Sequence, residues 1–252
     1  LLTPSRRALF SNTRLGQYHG ERFDLELKEE YQPGSGTKRL QNQPPRRLSD
    51  EKAATAIATE QAMIANGVLT PSHEDHGVAL VVVPKPSGGY RVAQDFREVN
   101  AATVPQYYPL PLLQTCLDKL KGKRYFTTLD MISAFWQIGA TERASRLMSI
   151  NFPGGRYRMN VMCMGLQGAS SFFQRCMDKV LRGLDDFVVN YLDDILIGSD
   201  TWEEHVQHVG EVLGRLAHAG FTLRPKKCHA PPSSRALLLG GGVGHDFRCA
   251  GG

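Results

Sequence analysis

The stretch Phe187-Val188-Val189-Asn190-Tyr191-Leu192-Asp193-Asp194-Ile195-Leu196-Ile197-Gly198 decides how this chain is read. Two apolar runs, 187–192 and 195–198, flank a pair of aspartates. β-Branched runs on either side of a short polar pair predict a tight β-hairpin with the carboxylates at its tip. Such a turn ordinarily takes Asn-Gly or Asp-Gly, and two adjacent aspartates repel each other. A cation held by both would remove that conflict; a solvated acidic turn is the plainer alternative. A second acidic point lies upstream, where Phe126-Thr127-Thr128-Leu129-Asp130 predicts a short strand ending in a carboxylate. A strand-end Asp beside a hairpin-tip Asp is the arrangement a two-metal phosphoryl-transfer site needs. Mg²⁺ takes hard oxygen ligands and keeps positions for water and phosphate. Two such ions, about 3.5–4 Å apart, hold the attacking and leaving oxygens of an in-line displacement.

Composition bounds the rest. At 252 residues the chain is long enough to bury a core in one or two domains. Thirty Lys and Arg against 25 Asp and Glu give a formal charge of +5, which suits a polyanionic partner. Five cysteines carry no Cys-x-x-Cys spacing, so a disulfide framework is not expected and reduced thiols in an intracellular protein are. No run of 18 apolar residues is present, so neither a span nor a membrane partner is expected. Leu1-Leu2-Thr3-Pro4 has neither an initiator Met nor a signal-peptide pattern, which suggests a piece of a longer polyprotein.

Outward from the two acidic points, residues 1–47 are polar and broken by Pro and Gly, and read as an extended lead-in. Its acidic residues Asp24, Glu26, Glu29 and Glu30 read as a solvated face. Ser49 is expected to cap a helix ending at Gly67, with Ala53, Ala54, Ile57 and Ile64 as its apolar side. Val78 to Val83 and Tyr90 to Gln94 predict a hairpin with Lys85 and Arg91 near its tip. A helix is expected over about 112–120, and a second hairpin over 147–152 and 157–161. Residues 168–182 predict a helix with Phe172, Phe173, Cys176 and Val180 inward. Residues 202–219 predict another, with Trp202, Val206, Val209, Leu213 and Leu216 inward and His205 and His208 at the surface. Cys228, His229, His245 and Cys249 lack the spacing of a zinc site.

Val83-Pro84-Lys85 with Tyr90-Arg91, Asp95-Phe96-Arg97-Glu98-Val99-Asn100, Phe126 to Asp130, Met164 to Ala169, Phe172-Phe173-Gln174 and Tyr191 to Leu196 occur in this order. In order and spacing they resemble the reverse transcriptase of gypsy-type LTR retrotransposons, related to the retroviral enzymes. The likeness covers about residues 48–227. It implies an α+β fold, the fingers and palm of a right-hand polymerase, with an antiparallel palm sheet backed by helices. Residues 1–47 would be a lead-in from an upstream polyprotein, 48–125 mainly fingers, and 126–252 mainly palm with part of the fingers around 140–165. The thumb is expected to be absent.

The resemblance further implies RNA-directed DNA polymerase activity on a primed RNA or DNA template, with deoxynucleoside triphosphates as substrates. Asp130, Asp193 and Asp194 would be the catalytic carboxylates and the ligands of two Mg²⁺, with Mn²⁺ as the alternative ion. Lys85 and Arg91 would clamp the triphosphate; a solvated basic turn is the plainer reading. Met131, Phe135 and Met164 would line the nucleotide site, with Phe135 excluding a ribose 2′-hydroxyl; a core aromatic is the alternative for Phe135. Arg97, Gly165, Gln167, Tyr191, Lys226 and Lys227 would touch nucleic acid. Asp95 and Arg97 also read as an ion pair. Two departures stand out: Cys163 where the family usually has Pro, implying a looser loop, and a glycine-rich 240–244 where a primer-grip hairpin would begin at 236. The work would be done in a cytoplasmic virus-like particle or the nucleus. Two rivals remain: a catalytically weak or inactive nucleic-acid-binding remnant, and an unrelated metal hydrolase, which leaves the fingers motifs unexplained.

Overall fold

A computed structural model describes residues 9–229 except 35, 87, 113 and 115–117. Of the helix expected at 112–120, Gln114, Asp118 and Lys119 are helical while 113 and 115–117 lie outside the described residues, as do the segment from 236 onward, His245 and Cys249.

Ser49 opens helix α1 (Asp50–Ala65), with Asp50 and Glu51 in the first turn where the helix dipole favours acids. Its buried face is Ala56, Glu60 and Met63, whereas Ile57 and Ile64 are each more than 40% exposed. The expected apolar side is thus wrong. Glu60 faces inward because its carboxylate accepts the Gly154 N–H at 3.0 Å, and a buried carboxylate with a partner displaces an unpartnered Ile from the contact. Strand β1 (Leu69–Pro71) follows, then β2 (Val78–Pro84) and β3 (Tyr90–Gln94), the hairpin expected. After helix α2 (Arg97–Ala102) comes β4 (Tyr125–Asp130).

Helix α3 (Glu142–Leu147) was not expected. Thr141 caps it by accepting the Ala144 N–H, with Glu142 in the first turn and Arg146 in the last. Leu147, expected to start a strand, therefore ends a helix, and the hairpin shrinks to β5 (Ser149–Phe152) and β6 (Gly155–Met159). Helix α4 (Ala169–Val180) buries Phe172, Phe173, Cys176 and Met177; Val180 is only partly buried. Strands β7 (Val188–Tyr191) and β8 (Asp194–Ser199) are the aspartate hairpin. Helix α5 (Trp202–His218) starts with a reciprocal Thr201–Glu204 capping box and buries Val209, Val212, Leu213 and Leu216. His205 is buried on the same face, not at the surface, and His208 is half-buried against Phe187.

The strands form two sheets. One has five strands in the order β1-β6-β5-β2-β3, antiparallel except for the β2–β5 pair. The other has three antiparallel strands, β4-β8-β7. Helix α5 packs on β4 and β8, and α4 on β7. One apolar core runs from Ile150 and Met159 of the larger sheet to Ile195 and Ile197 of the smaller.

The lead-in is extended but not loose. Phe23 and Leu25 are buried, and the Phe23 and Tyr18 N–H groups donate to the Gly139 and Gln137 carbonyls at 2.9 and 2.7 Å. The acidic face expected to be solvated is partly paired. Asp24 meets Arg143 and accepts from Thr141, and Glu30 meets Lys38.

Candidate active site

The register of the small sheet builds the site. Asp130 ends β4 directly opposite Asp194, the first residue of β8. Tyr191 pairs with Asp194, so the turn proper is Leu192-Asp193. Contrary to the expectation that both aspartates share the tip, Asp193 is in the turn and Asp194 in the strand. Inward side chains alternate along both strands, with Thr127 and Leu129 on β4 and Ile195 and Ile197 on β8. Period-two alternation places Asp130 and Asp194 together on the open face.

Leu192 has φ +55°, a left-handed conformation that costs a non-glycine residue about 1–2 kcal/mol. Buried Gln174 of α4 compensates. Its Oε1 accepts the Leu192 N–H at 2.8 Å, while its Nε2 donates to Asn190 Oδ1 and Asp178 Oδ1, each at 2.8 Å. A side chain on the helix below thus sets the turn that carries Asp193.

The carboxylates are left short of neutralisation. Asp130 Oδ1 is buried without a hydrogen-bond partner among the described residues. Desolvation first, then the charges of Asp193 and Asp130, push the Asp194 carboxyl above its ordinary range; Lys227 opposes this. Lys227 Nζ lies 3.4 Å from Asp130 Oδ2. The segment reaching it runs beside β4, with Arg224 N–H donating to the Asp130 carbonyl at 2.9 Å and Thr128 exchanging backbone bonds with His229. No three metal-ligating side chains converge among the described residues. Mg²⁺ needs only one or two carboxylates when phosphates and water complete its shell. A buried lone carboxylate oxygen beside a second, reluctantly ionised carboxylate fits a hard divalent cation.

The other expected residues divide. Tyr191 and Lys227 join the aspartates at this end of the sheet, and Lys226 is exposed beside Lys227. Met131 and Phe135 are buried, and Phe135 stacks on Phe173 at 5.2 Å, the geometry of its core-aromatic alternative. Met164 is 69% exposed, while Cys163 beside it is buried, with its thiol pushed upward by desolvation. The loop after it is tied to α2: Asn100 Nδ2 donates to the Gly165 carbonyl at 2.9 Å, and its Oδ1 accepts the Gln167 N–H at 2.7 Å. Lys85 and Arg91 are exposed at the β2–β3 turn, on the larger sheet. Arg97 grips Asp95 through two bonds of 2.7 and 2.6 Å, and Arg46 adds a third at 2.6 Å. Sequence reasoning missed the roles of Gln174, Asn100 and Gln137. Buried Gln137 bonds Ile132 and Thr222, tying the chain after Asp130 to the segment before Lys227. For Gln137, an amide between Trp136 and Ile138 was the available signal.

Two sheets, with the acidic strand ends on the smaller, define the fingers and palm of a right-hand polymerase. The family model "Reverse transcriptase (RNA-dependent DNA polymerase)" matches residues 83–240, more than half the chain, and the chain belongs to that family. It is 36% identical over 174 residues to the retrovirus-related Pol polyprotein from transposon 297 of Drosophila melanogaster, covering 67% of this chain and 16% of that protein. It is 32% identical over 166 residues to the transposon Tf2-3 polyprotein of Schizosaccharomyces pombe, covering 66% and 12%. The chain thus spans under a fifth of the length of these relatives. The foamy viral protease–reverse transcriptase in complex with RNA/DNA hybrid shares the fold, with a TM-score of 0.78, 18% identity, and coverage of 89% of this chain and 30% of that one. Among the described residues no helix is long and apolar enough to cross a membrane.

Proposed function

We propose that this chain is the fingers and palm of an RNA-directed DNA polymerase, which adds deoxynucleotides to a primer 3′-hydroxyl on an RNA or DNA template. The observation that carries this is the under-neutralised Asp130–Asp194 pair on the open face of the palm sheet. Asp130, Asp193 and Asp194 would hold two Mg²⁺ or Mn²⁺, which when bound would activate the hydroxyl and neutralise the phosphates. Lys85 and Arg91 bind the triphosphate, the first as a point charge and the second as a fork. Lys227 balances the charge of Asp130 before the ions arrive. Phe135 bounds the sugar, with Met131 and Met164 beside the nucleotide. Arg97, Gly165, Gln167, Tyr191 and Lys226 contact template or primer. Residues 48–125 are mainly fingers and 126–252 mainly palm; the pairing of β5 and β6 into the larger sheet supports giving 140–165 to the fingers.

The test is extension of a DNA primer on an RNA template with four deoxynucleotides. Products that need a divalent cation and vanish in Asp193→Asn support the reading. A chain that binds the primed template yet never extends it is the inactive remnant instead, a reading favoured by Lys227 sitting on Asp130.

A further inference from the structure

The geometry points to His205 as a positioning residue for the catalytic carboxylates: one imidazole locks β4 and β8 to α5 in the register that sets Asp130 against Asp194. This rests on the polymerase reading of that pair.

His205, Thr127 and Ser199 are all fully buried. His205 Nε2 lies 2.8 Å from Thr127 Oγ1, on the strand that ends in Asp130. His205 Nδ1 lies 2.9 Å from Ser199 Oγ, at the far end of the strand that begins with Asp194. The same Ser199 oxygen is 2.9 Å from His208 Nδ1, and the His208 ring lies flat on Phe187, 3.7 Å away. Tyr125 and Trp202 close the pocket around the His205 ring.

Inward positions on a two-layer sheet are ordinarily apolar, and Thr127, Ser199 and His205 depart from that together. Aliphatic contacts tolerate sliding; hydrogen bonds from two ring nitrogens to two different strands do not. A one-residue slip of β4 against β8 would turn Asp130 to the buried face. His205 resists that slip from the opposite side of the sheet, with Thr127 about 10 Å from Asp130 along the strand. Burial, then the neighbouring His208, hold the imidazole below its ordinary pKa. A neutral ring offers one donor and one acceptor, which matches two hydroxyl partners.

The experiment measures Mn²⁺ binding to the 252-residue chain by electron paramagnetic resonance, alongside thermal melting. The variants are Thr127→Val, Ser199→Ala, His205→Leu and His205→Gln, with Asp130→Asn as the site control. Asp130→Asn should abolish the tight signal; if it binds Mn²⁺ like the parent, the polymerase reading of the site fails. Given that control, His205→Leu should weaken Mn²⁺ binding about tenfold, the scale of a change that reaches a site through a contiguous packed network. Thr127→Val, which keeps the strand's shape, should weaken it in the same direction, and His205→Gln should recover most of the loss. Parent-like Mn²⁺ binding in Thr127→Val and Ser199→Ala, whatever their melting temperatures, overturns the positioning role and leaves a purely structural network. Should His205→Leu fail to fold, the Thr127 and Ser199 variants decide.

Discussion

Two acidic sites, one on each sheet, are built in opposite ways. Beside the fingers sheet, Asp95 is buried but fully answered: Arg97 grips it with two nitrogens and Arg46 with a third. The hydrogen bond from Arg97, ahead of any other influence, holds its carboxyl below the ordinary range. On the palm sheet, Asp130 leaves one buried oxygen without a partner, and Asp194 is pushed upward by desolvation and by its neighbours' charge. A carboxylate used for structure is neutralised by the protein itself. Asp130, with Lys227 3.4 Å from one oxygen and no partner for the other among the described residues, is answered only in part, which suits the metal-binding role proposed for it.

The sharpest way to break this contrast is to neutralise each site in turn. Asp130→Asn or Asp193→Asn should cut primer extension by about 10³-fold or more, in line with loss of a transition-state charge stabiliser, while the melting temperature stays near the parent's. Asp95→Asn should do the reverse. Extension measured below its melting temperature should stay within several-fold of the parent, while stability falls by about 1–3 kcal/mol, the range for losing charge-assisted bonds to a buried group.

The pH dependence of these two aspartates also has opposite sign. A depressed carboxyl stabilises the fold above its unfolded pKa, and the benefit is lost as pH falls through the folded value. Chemical denaturation of parent and Asp95→Asn should therefore converge as the solution is acidified below about pH 4. Asp194 is raised, so its ionised form opposes folding once pH exceeds the unfolded value. Asp194→Asn should raise the melting temperature at pH 7 in chelator by about 1 °C, a small gain because an exposed carboxylate is screened. That gain should vanish below about pH 4. A lowered melting temperature at pH 7 would show that Asp194 is satisfied after all.

Phe135→Val asks a separate question on the palm side. If the ring bounds the sugar, ribonucleotide incorporation should rise relative to deoxynucleotide by about tenfold or more, the scale of a steric pocket contact. An unchanged ratio, with lowered stability from the cavity against Phe173, would leave it as core alone.

The aspartate hairpin, the strand of Asp130 and the helices over 169–180 and 202–218 were legible because local periodicity and turn chemistry specify them. The register that sets Asp130 against Asp194 follows once those strands pair. What was hidden depends on distant partners. No local pattern says that Glu60 turns inward, because Gly154 lies more than ninety residues away. Nothing near His205 announces Thr127 as its partner, although its spacing to Val209, Val212 and Leu216 puts it on the inward face of the helix. The helix that Thr141 caps was missed for a simpler reason: a short helix ending in Leu147 looks like the start of the apolar strand behind it. Lys227 reads as one of a basic pair until the chain before it is seen to run beside β4.

On the proposed reading, the palm aspartates are held ready for a divalent cation. An ion that binds the folded state alone stabilises it by RT ln(1 + c/Kd) at free ion concentration c, so the melting temperature rises with ion concentration. Thermal melting of the parent, Asp95→Asn and Asp130→Asn across a Mg²⁺ titration, with Na⁺ at matched ionic strength, tests this directly. A Mg²⁺-specific rise is expected in the parent and in Asp95→Asn, and none in Asp130→Asn. An equal rise in all three would place the bound ion elsewhere and contradict that reading.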